Sequence, residues 1–441
     1  WLKPFWLRLT LGARRDGARA GGRTGGPQRP TVPAMCPPAA RPRHGGDGAV
    51  GVVTGADLER AAGELAAGVR PWEAGGFAHL RSLQAAPRNH GRVDAMCRGQ
   101  DGAPAAVKRM PNWWVLGSLG EFQQGHPREE EQPWLDIAML SELSRRGFPY
   151  VCDFLGVFRD GEWTYVATRL ACRGDLFTWA ARELAPPGPA REAAVRPVAA
   201  QLCAAVRWLH DLDVAHRDLC LENVVVAGEG SEDPQVKVID FGMAALGRTR
   251  GGRGEWRATL ARQPYQAPEL HCAGGLHDAF LADEFALGVT LWGLVAAGLP
   301  WACTEDGQSD HFDLARRCGV SALLRRRAAP CGKRLAETLS PELLALLGGL
   351  LALSARDRLC VGEACFEREG RRSALRAAWL EGRGVPAETA EESREAPCRV
   401  DSALSCASTA DSGGATADSD GASTADGGEA EGAGELRTAC A

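Results

Sequence analysis

Asp218 and Asn223 share the stretch VAHRDLCLENVVV, residues 214–226, with His216, Arg217 and Glu222. Ionisable groups among apolar neighbours are costly unless they are paired, bound to a metal or catalytic. Asp240 ends the next apolar run, directly before Phe241 and Gly242, and Lys108 ends an apolar run upstream. Asn223 and Asp240 offer the oxygen ligands that suit a divalent cation carrying phosphates. The separate carboxylate of Asp218 could accept a proton from an attacking hydroxyl. The amine of Lys108 could meet phosphate oxygens. Each piece alone is weak: AVK is common by chance, and a lone buried Asp is more often a structural hydrogen-bond acceptor.

The elements that must position these groups are legible from periodicity. FAHLRSL and APAAVKRM read as short strands, and VCDFLGVFRDGEWTYVATRL reads as a hairpin turning at RDGE. WLDIAMLSEL spaces Leu135, Met139 and Leu143 at helical intervals. REAAVRPVAAQLCAAVRWLHDL puts Val195, Val198, Leu202, Val206 and Leu209 on one helix face, with Pro197 expected near its start. NVVVAGEGSEDPQVKVIDFG is two β runs around a polar loop. SPELLALLGGLLAL predicts a helix with Ser340 as its cap and Pro341 at its first position. A small β-rich part is therefore followed by a larger helical part.

The order of the motifs is more specific than any one of them. Lys108 in AVK, HRDLxxEN at 216–223, DFG at 240–242 and APE at 267–269, with DEFALGVTLW and RDRL beyond, resemble the eukaryotic protein kinase signature set. The resemblance covers about 77–380 and implies an α+β, bilobal fold, with a divergent serine/threonine kinase as the family member expected. It implies Asp218 as catalytic base, Lys108 as holder of the α/β-phosphates, and Asn223 and Asp240 as Mg²⁺ ligands. It also puts Gly91, Val93, Ala106, Thr168, Leu170, Ala171 and Asp175 around the nucleotide, with Arg169 in the hinge and Thr168 at the gatekeeper position. Leu219, Glu222 and the lack of an AAR insert suggest Ser/Thr specificity. Asp175 and Glu222 match positions that hold arginines of basic substrates. Arg217 implies an activation loop switched by phosphate, with Thr249 and Thr259 as the candidates. Glu269 is expected to pair with Arg358.

Four departures from the pattern stand out. Ala86 and Arg88 occupy the places of the first two glycines of the phosphate loop, where side chains hinder backbone approach to phosphate. The helix acid expected to pair with Lys108 is Asp136, one methylene short of Glu, with Glu131 as an off-register substitute. Cys220 replaces the usual Lys, so a positive charge near the γ-phosphate is expected to be missing. Ala261 and Arg262 replace the usual GT before APE. These features keep a second reading open: a pseudokinase that binds nucleotide or partners without transferring phosphate. A small-molecule kinase is disfavoured because such enzymes generally lack the APE segment.

The flanks are of different composition. Residues 1–75 are rich in Gly, Arg, Pro and Ala and are expected to be disordered; WLKPFWLRLTLG within them makes a poor signal peptide. The expected kinase domain is 76–381, with lobes at 76–170 and 171–381. An acidic, low-complexity tail is expected over 382–441. The net charge of -5 gives no pull toward nucleic acid, although nine Lys/Arg and one acid precede Asp47. The fifteen cysteines show no CxxC pair, which points to reduced thiols in an intracellular, cytoplasmic protein, with the nucleus as alternative. The apolar run 285–303 has nearly the length of a membrane span, but the resemblance makes it the buried central helix of the large lobe. The expected partners are ATP with Mg²⁺ (or Mn²⁺) and a protein substrate carrying Ser or Thr, with no nucleic acid, no membrane span and a monomeric state.

Overall fold

Thr54 opens the first helix, α1 (Gly55–Ala67), in a computed structural model that describes residues 51–73, 76–228, 233–247, 262–271, 277–330 and 332–382. The Thr54 side chain accepts from Asp57 N at 3.2 Å, and the Asp57 carboxylate accepts from Thr54 N at 3.0 Å, a reciprocal cap. This helix corrects the expectation that residues up to 75 lack structure. Its Ala- and Gly-rich composition hides a narrow apolar stripe, Leu58, Ala61 and Ala62, all buried. So small a stripe suffices because a second helix supplies the rest of the contact. The rest of the expected leader, the tail, and Thr249 and Thr259 lie outside the described residues.

Six strands form one sheet: β1 (Arg70–Pro71), β2 (Phe77–Ala86), β3 (Gly91–Arg98), β4 (Pro104–Pro111), β5 (Phe154–Arg159) and β6 (Trp163–Arg169), in the order β1-β5-β6-β4-β3-β2. Only β1–β5 pairs in parallel. The RDGE turn forms as expected, with the Asp160 carboxylate accepting from Glu162 N and Trp163 N. Alternation gives the sheet two apolar faces. One buries Met96, Ala105, Val107, Tyr165 and Ala167 under Phe77 and Trp72. The other buries Met110, Val157 and Val166 against Trp134 and Ile137.

Those two residues belong to α4 (Pro133–Arg145), which follows the short α2 (Asn112–Val115) and α3 (Leu119–Gly125). The expected face with Met139 and Leu143 is buried too, in the cluster that contains Leu58, Ala61 and Ala62. Thus α4 is apolar on two sides, clamped between the sheet and α1. Arg146 fastens the pair, bonding Glu142 at 2.7 Å and Asp57 at 3.2 Å.

The helical lobe runs through α5 (Leu176–Glu183), α6 (Pro189–Asp211), the short strands β7 (Val214–Ala215), β8 (Val224–Ala227), β9 (Gln235–Val238) and β10 (Ala245–Leu246), then α7 (Ala279–Ala296), α8 (Asp310–Cys318), α9 (Val320–Arg326), α10 (Leu335–Thr338) and α11 (Pro341–Leu350). α6 starts earlier than expected, so Pro197 falls inside the helix rather than near its start. Ser340 precedes α11 but makes no side-chain cap. Its Oγ donates instead to buried Glu192 at 2.6 Å, which also accepts from Ser340 N and Trp379 Nε1. A buried carboxylate outbids a helix end for the hydroxyl. Every residue of α7 is buried, so its apolarity is that of an interior helix. The architecture is bilobal, a β-rich lobe followed by a helical one.

Candidate active site

Four carboxylates and two cations meet where β3, β4, α4 and the loops around β8 and β9 converge. Strand alternation puts Ala106 and Lys108 on one face of β4 while Ala105 and Val107 are fully buried on the other. Val93 stands opposite Lys108, and Thr168 opposite Ala106. Leu170 and Ala171 follow β6, with Leu170 N donating to Pro104 O at 3.2 Å. Val93, Ala106, Lys108 and Thr168 therefore share one face of the sheet. Gly91 is accounted for differently from the expectation: a Cβ there would lie 1.8 Å from the Arg109 carbonyl oxygen, so strand packing alone demands glycine.

Lys108 Nζ donates to Asp136 Oδ2 and to Asp240 Oδ1, both at 3.0 Å. Burial works against the ammonium, but these two carboxylates more than offset it and hold its proton. The shorter Asp136 reaches because the start of α4 is tied to the segment after Asp240. Phe241 N donates to Asp136 Oδ1 at 2.9 Å, and Gln132 N to Gly242 O at 2.9 Å. Glu131 lies against Gly242, whose missing Cβ would meet its Oε1 at 2.8 Å. Burial, reinforced by Asp240, pushes the Glu131 carboxyl up to about 7. The sequence ranked Glu131 below Asp136 for the lysine, and the hydrogen bond goes to Asp136.

Asp218 is buried, and its carboxylate accepts from Asn223 Nδ2 at 2.8 Å and from Arg88 Nη1 at 2.9 Å. Asn223 Nδ2 also donates to the Asp218 carbonyl, so the amide is oriented with its nitrogen toward Asp218. The loop itself is hung on α7. Asp283 accepts from His216 N at 2.7 Å and Arg217 N at 2.8 Å, which fixes Arg217 at a φ of 68°. Asp240 has the same φ, 68°. Such conformations cost about 1–3 kcal/mol in non-glycine residues and concentrate at functional sites.

Behind Asp283 sits His210, fully buried at the end of α6. It contacts Asp283 Oδ2 at 3.2 Å and Glu363 Oε1 at 2.6 Å. Burial opposes its charge, yet the bonds to Asp283 and Glu363 raise it to about 9, while burial beside Glu363 pushes the Glu284 carboxyl well up. The folded value lies above the unfolded one near 6.5, so this contribution is complete below pH 6.5 and fades as pH rises through about 9. Urea melts of the wild type and His210→Gln should therefore differ most at pH 6 and converge by pH 10. A constant gap would show that His210 stays neutral.

Two pieces of the site escaped the sequence. Arg88 was read only as a lost glycine, but its guanidinium bonds Asp218 directly in space. Arg262 was read only as a lost GT, but its Nη1 meets Glu222 Oε2 at 2.6 Å. The same contact involves one of the residues expected to hold a substrate arginine. Glu222 already holds Arg262, Asp175 accepts from Thr178 N at 2.6 Å as the cap of α5, and Leu221 fills the space beside Gly293. The sequence signal for both arginines was a cation where the pattern calls for a small residue.

The cluster suits a divalent cation with phosphates. Asp136, Glu131, Asp218 and Asp240 outnumber the cations bonded among them, Lys108 and Arg88, and Asn223 and Asp240 bring hard oxygen donors. The model of the protein kinase domain matches residues 91–368. Among characterised proteins, the chain is 29% identical over 182 residues to the serine/threonine-protein kinase chk-1 of Caenorhabditis elegans, covering 40% of this chain and 33% of that one. It is 33% identical over 200 residues to CBL-interacting protein kinase 4 of Oryza sativa subsp. japonica, covering 45% and 40%. It is 28% identical over 233 residues to the serine/threonine-protein kinase SBK1 of Danio rerio, covering 51% and 54%. The matches thus span a third to about half of the relatives' own lengths.

Proposed function

From the premise that the chain belongs to the protein kinase family, we propose that it transfers the γ-phosphate of Mg·ATP to Ser or Thr hydroxyls of proteins. The observation that carries this reading is that Asp136 and Asp240 both lie within bonding distance of Lys108, beside the Asn223–Asp218 pair. In this reading Asp218 takes the proton of the attacking hydroxyl, held in position by Asn223 and by the Asp283-anchored loop. Lys108 orients the phosphates, and Asp136 holds Lys108. Asn223 and Asp240 would hold the metal, which supplies charge neutralisation to the phosphates when bound. Val93, Ala106, Thr168, Leu170 and Ala171 would pack the adenine. The catalytic unit we assign begins near residue 51, because α1 braces α4, and ends near 382. A reducing intracellular compartment suits the free thiols of Cys97, Cys152, Cys203, Cys220, Cys303 and Cys360.

The test is transfer of radiolabelled phosphate by the full chain to Ser, Thr and Tyr peptide libraries, with Mg²⁺ and with Mn²⁺. Labelled Ser or Thr is the expected result; label on Tyr alone, or none, overturns the reading. The second reading, a nucleotide-binding scaffold, is favoured by one observation: Arg88 sits on the carboxylate that must act as base. Transfer by the wild type separates the two.

Asp136→Ala should lower transfer about 100-fold, the order expected when a catalytic group moves by about 1 Å. Steady-state kcat on a Ser peptide measures this. An unchanged kcat would mean that Glu131, not Asp136, positions Lys108.

A further inference from the structure

We propose that Arg88 and Arg262 form a two-guanidinium clamp for the terminal phosphate of the nucleotide. This rests on the kinase reading of the cleft and names the groups that replace its degraded glycine loop.

The tip of the β2–β3 hairpin is fixed rather than loose. Residues Pro87–Asn89 make a 3-10 turn, and His90 follows at a φ of 52°. Asn89 is buried, donating to Glu131 Oε1 at 2.8 Å. The His90 ring lies 4.8 Å from Trp113 and 4.7 Å from Trp114. Between these anchors Arg88 is directed inward, to Asp218 Oδ2 at 2.9 Å, Glu131 Oε2 at 3.7 Å and Met243 Sδ at 3.4 Å. A tip pinned this way presents a side chain where a glycine loop would present backbone amides.

Arg262 comes from a different segment, just before the APE motif. It directly precedes the turn Gln263–Tyr265, which is anchored by Trp301 Nε1 donating to Pro264 O at 2.9 Å. Its guanidinium bonds Glu222, at the far end of the loop that carries Asp218 and Cys220. Burial opposes its charge, but the carboxylates of Glu222 and Asp218 override this. The two guanidiniums are thus bonded to the same loop, Arg88 at Asp218 and Arg262 at Glu222. Cys220 is fully buried and burial pushes its thiol well up, so it carries no charge there. The positive charge missing at 220 is thus supplied by a residue 42 positions later in the chain.

Both side chains stay about one-third exposed, 33% for Arg88 and 32% for Arg262, and a ligand from solvent can reach them. Arg88 now bonds Asp218, with Glu131 at 3.7 Å, and Arg262 bonds Glu222. A terminal phosphate offers more charge and three acceptor oxygens, and a guanidinium fork binds it in bidentate fashion. Taking Arg88 onto phosphate also releases the Asp218 carboxylate to face a hydroxyl.

Calorimetric titration of the full chain with Mg·ADP and with a non-hydrolysable Mg·ATP analogue tests the clamp without relying on turnover. The wild type should prefer the triphosphate. Arg88→Gln and Arg262→Gln should each cut that preference about tenfold, the weight of one charged hydrogen bond, while leaving Mg·ADP affinity unchanged. The Lys variants at both positions should keep most of it. Cys220→Lys combined with Arg262→Gln should restore it, a rescue that a merely structural ion pair would not give. Thermal melts of every variant report folding, and the Lys variants and the rescue decide if a Gln variant melts early. A wild type without triphosphate preference, or a preference unchanged in both Gln variants, overturns the clamp. A wild type that binds as expected yet phosphorylates no peptide removes the kinase reading and leaves the clamp standing.

Discussion

Asp218→Asn should reduce phosphate transfer by about 10²–10⁴-fold, the range for loss of a general base. Asn keeps the shape of the side chain and can still accept from Asn223 Nδ2, now at 2.8 Å. It loses proton affinity and the charge that holds Arg88 at 2.9 Å. Mg·ATP binding should therefore stay the same or tighten, because Arg88 is released toward phosphate. Asp240→Asn should do the reverse at the binding step and weaken the Mg·ATP complex, since the proposed metal ligand loses its charge. Single-turnover rates at saturating ATP, with calorimetry for binding, separate the two variants. Equal near-zero turnover in the wild type and Asp218→Asn would leave the 216–223 loop as a structural remnant.

Arg358→Ala should destabilise the helical lobe by roughly 3–5 kcal/mol, the usual cost of removing one partner of a buried ion pair. Arg358 has no exposed side-chain surface and binds Glu269 through two parallel bonds, at 2.6 and 2.9 Å. Its remaining donors satisfy the carbonyls of Leu281 at 2.6 Å and Ala352 at 3.1 Å. The guanidinium also lies over Phe285, 5.0 Å from the ring centroid. Truncation leaves a carboxylate and two carbonyls without this donor. A midpoint about 10 °C lower in thermal melts corresponds to that loss, at roughly 2–4 °C per kcal/mol for a domain of this size. A change of under about 1 kcal/mol would class the pair with exposed ion pairs, which contribute little.

Much of the site was legible because its chemistry is local. Asp218 and Asn223 lie on one loop, Asp240 ends the next strand, and alternation along APAAVKRM points Lys108 away from the buried face. The pair Glu269–Arg358 was legible only through resemblance, since 89 residues separate its members. The leader was misread for a physical reason. Leu58, Ala61 and Ala62 make too narrow a stripe to signal a packed helix, and the surface that completes it is 138–143 of α4. Pro197 and Ser340 were misplaced because helix starts and caps answer to tertiary partners, here Glu192 for Ser340.

By itself the sequence determined the kinds of element, their order, and which oxygens and which amine could serve phosphate transfer. Periods of two and 3.6 residues, turn chemistry and motif order are all short-range properties. Only the tertiary structure decided the charge balance around Asp218. Arg88 and Arg262 come from segments far apart in the chain, and the sequence records each merely as a departure from a small residue. Folding brings both guanidiniums to the same loop, because electrostatic energy depends on distance through space and not on separation along the chain.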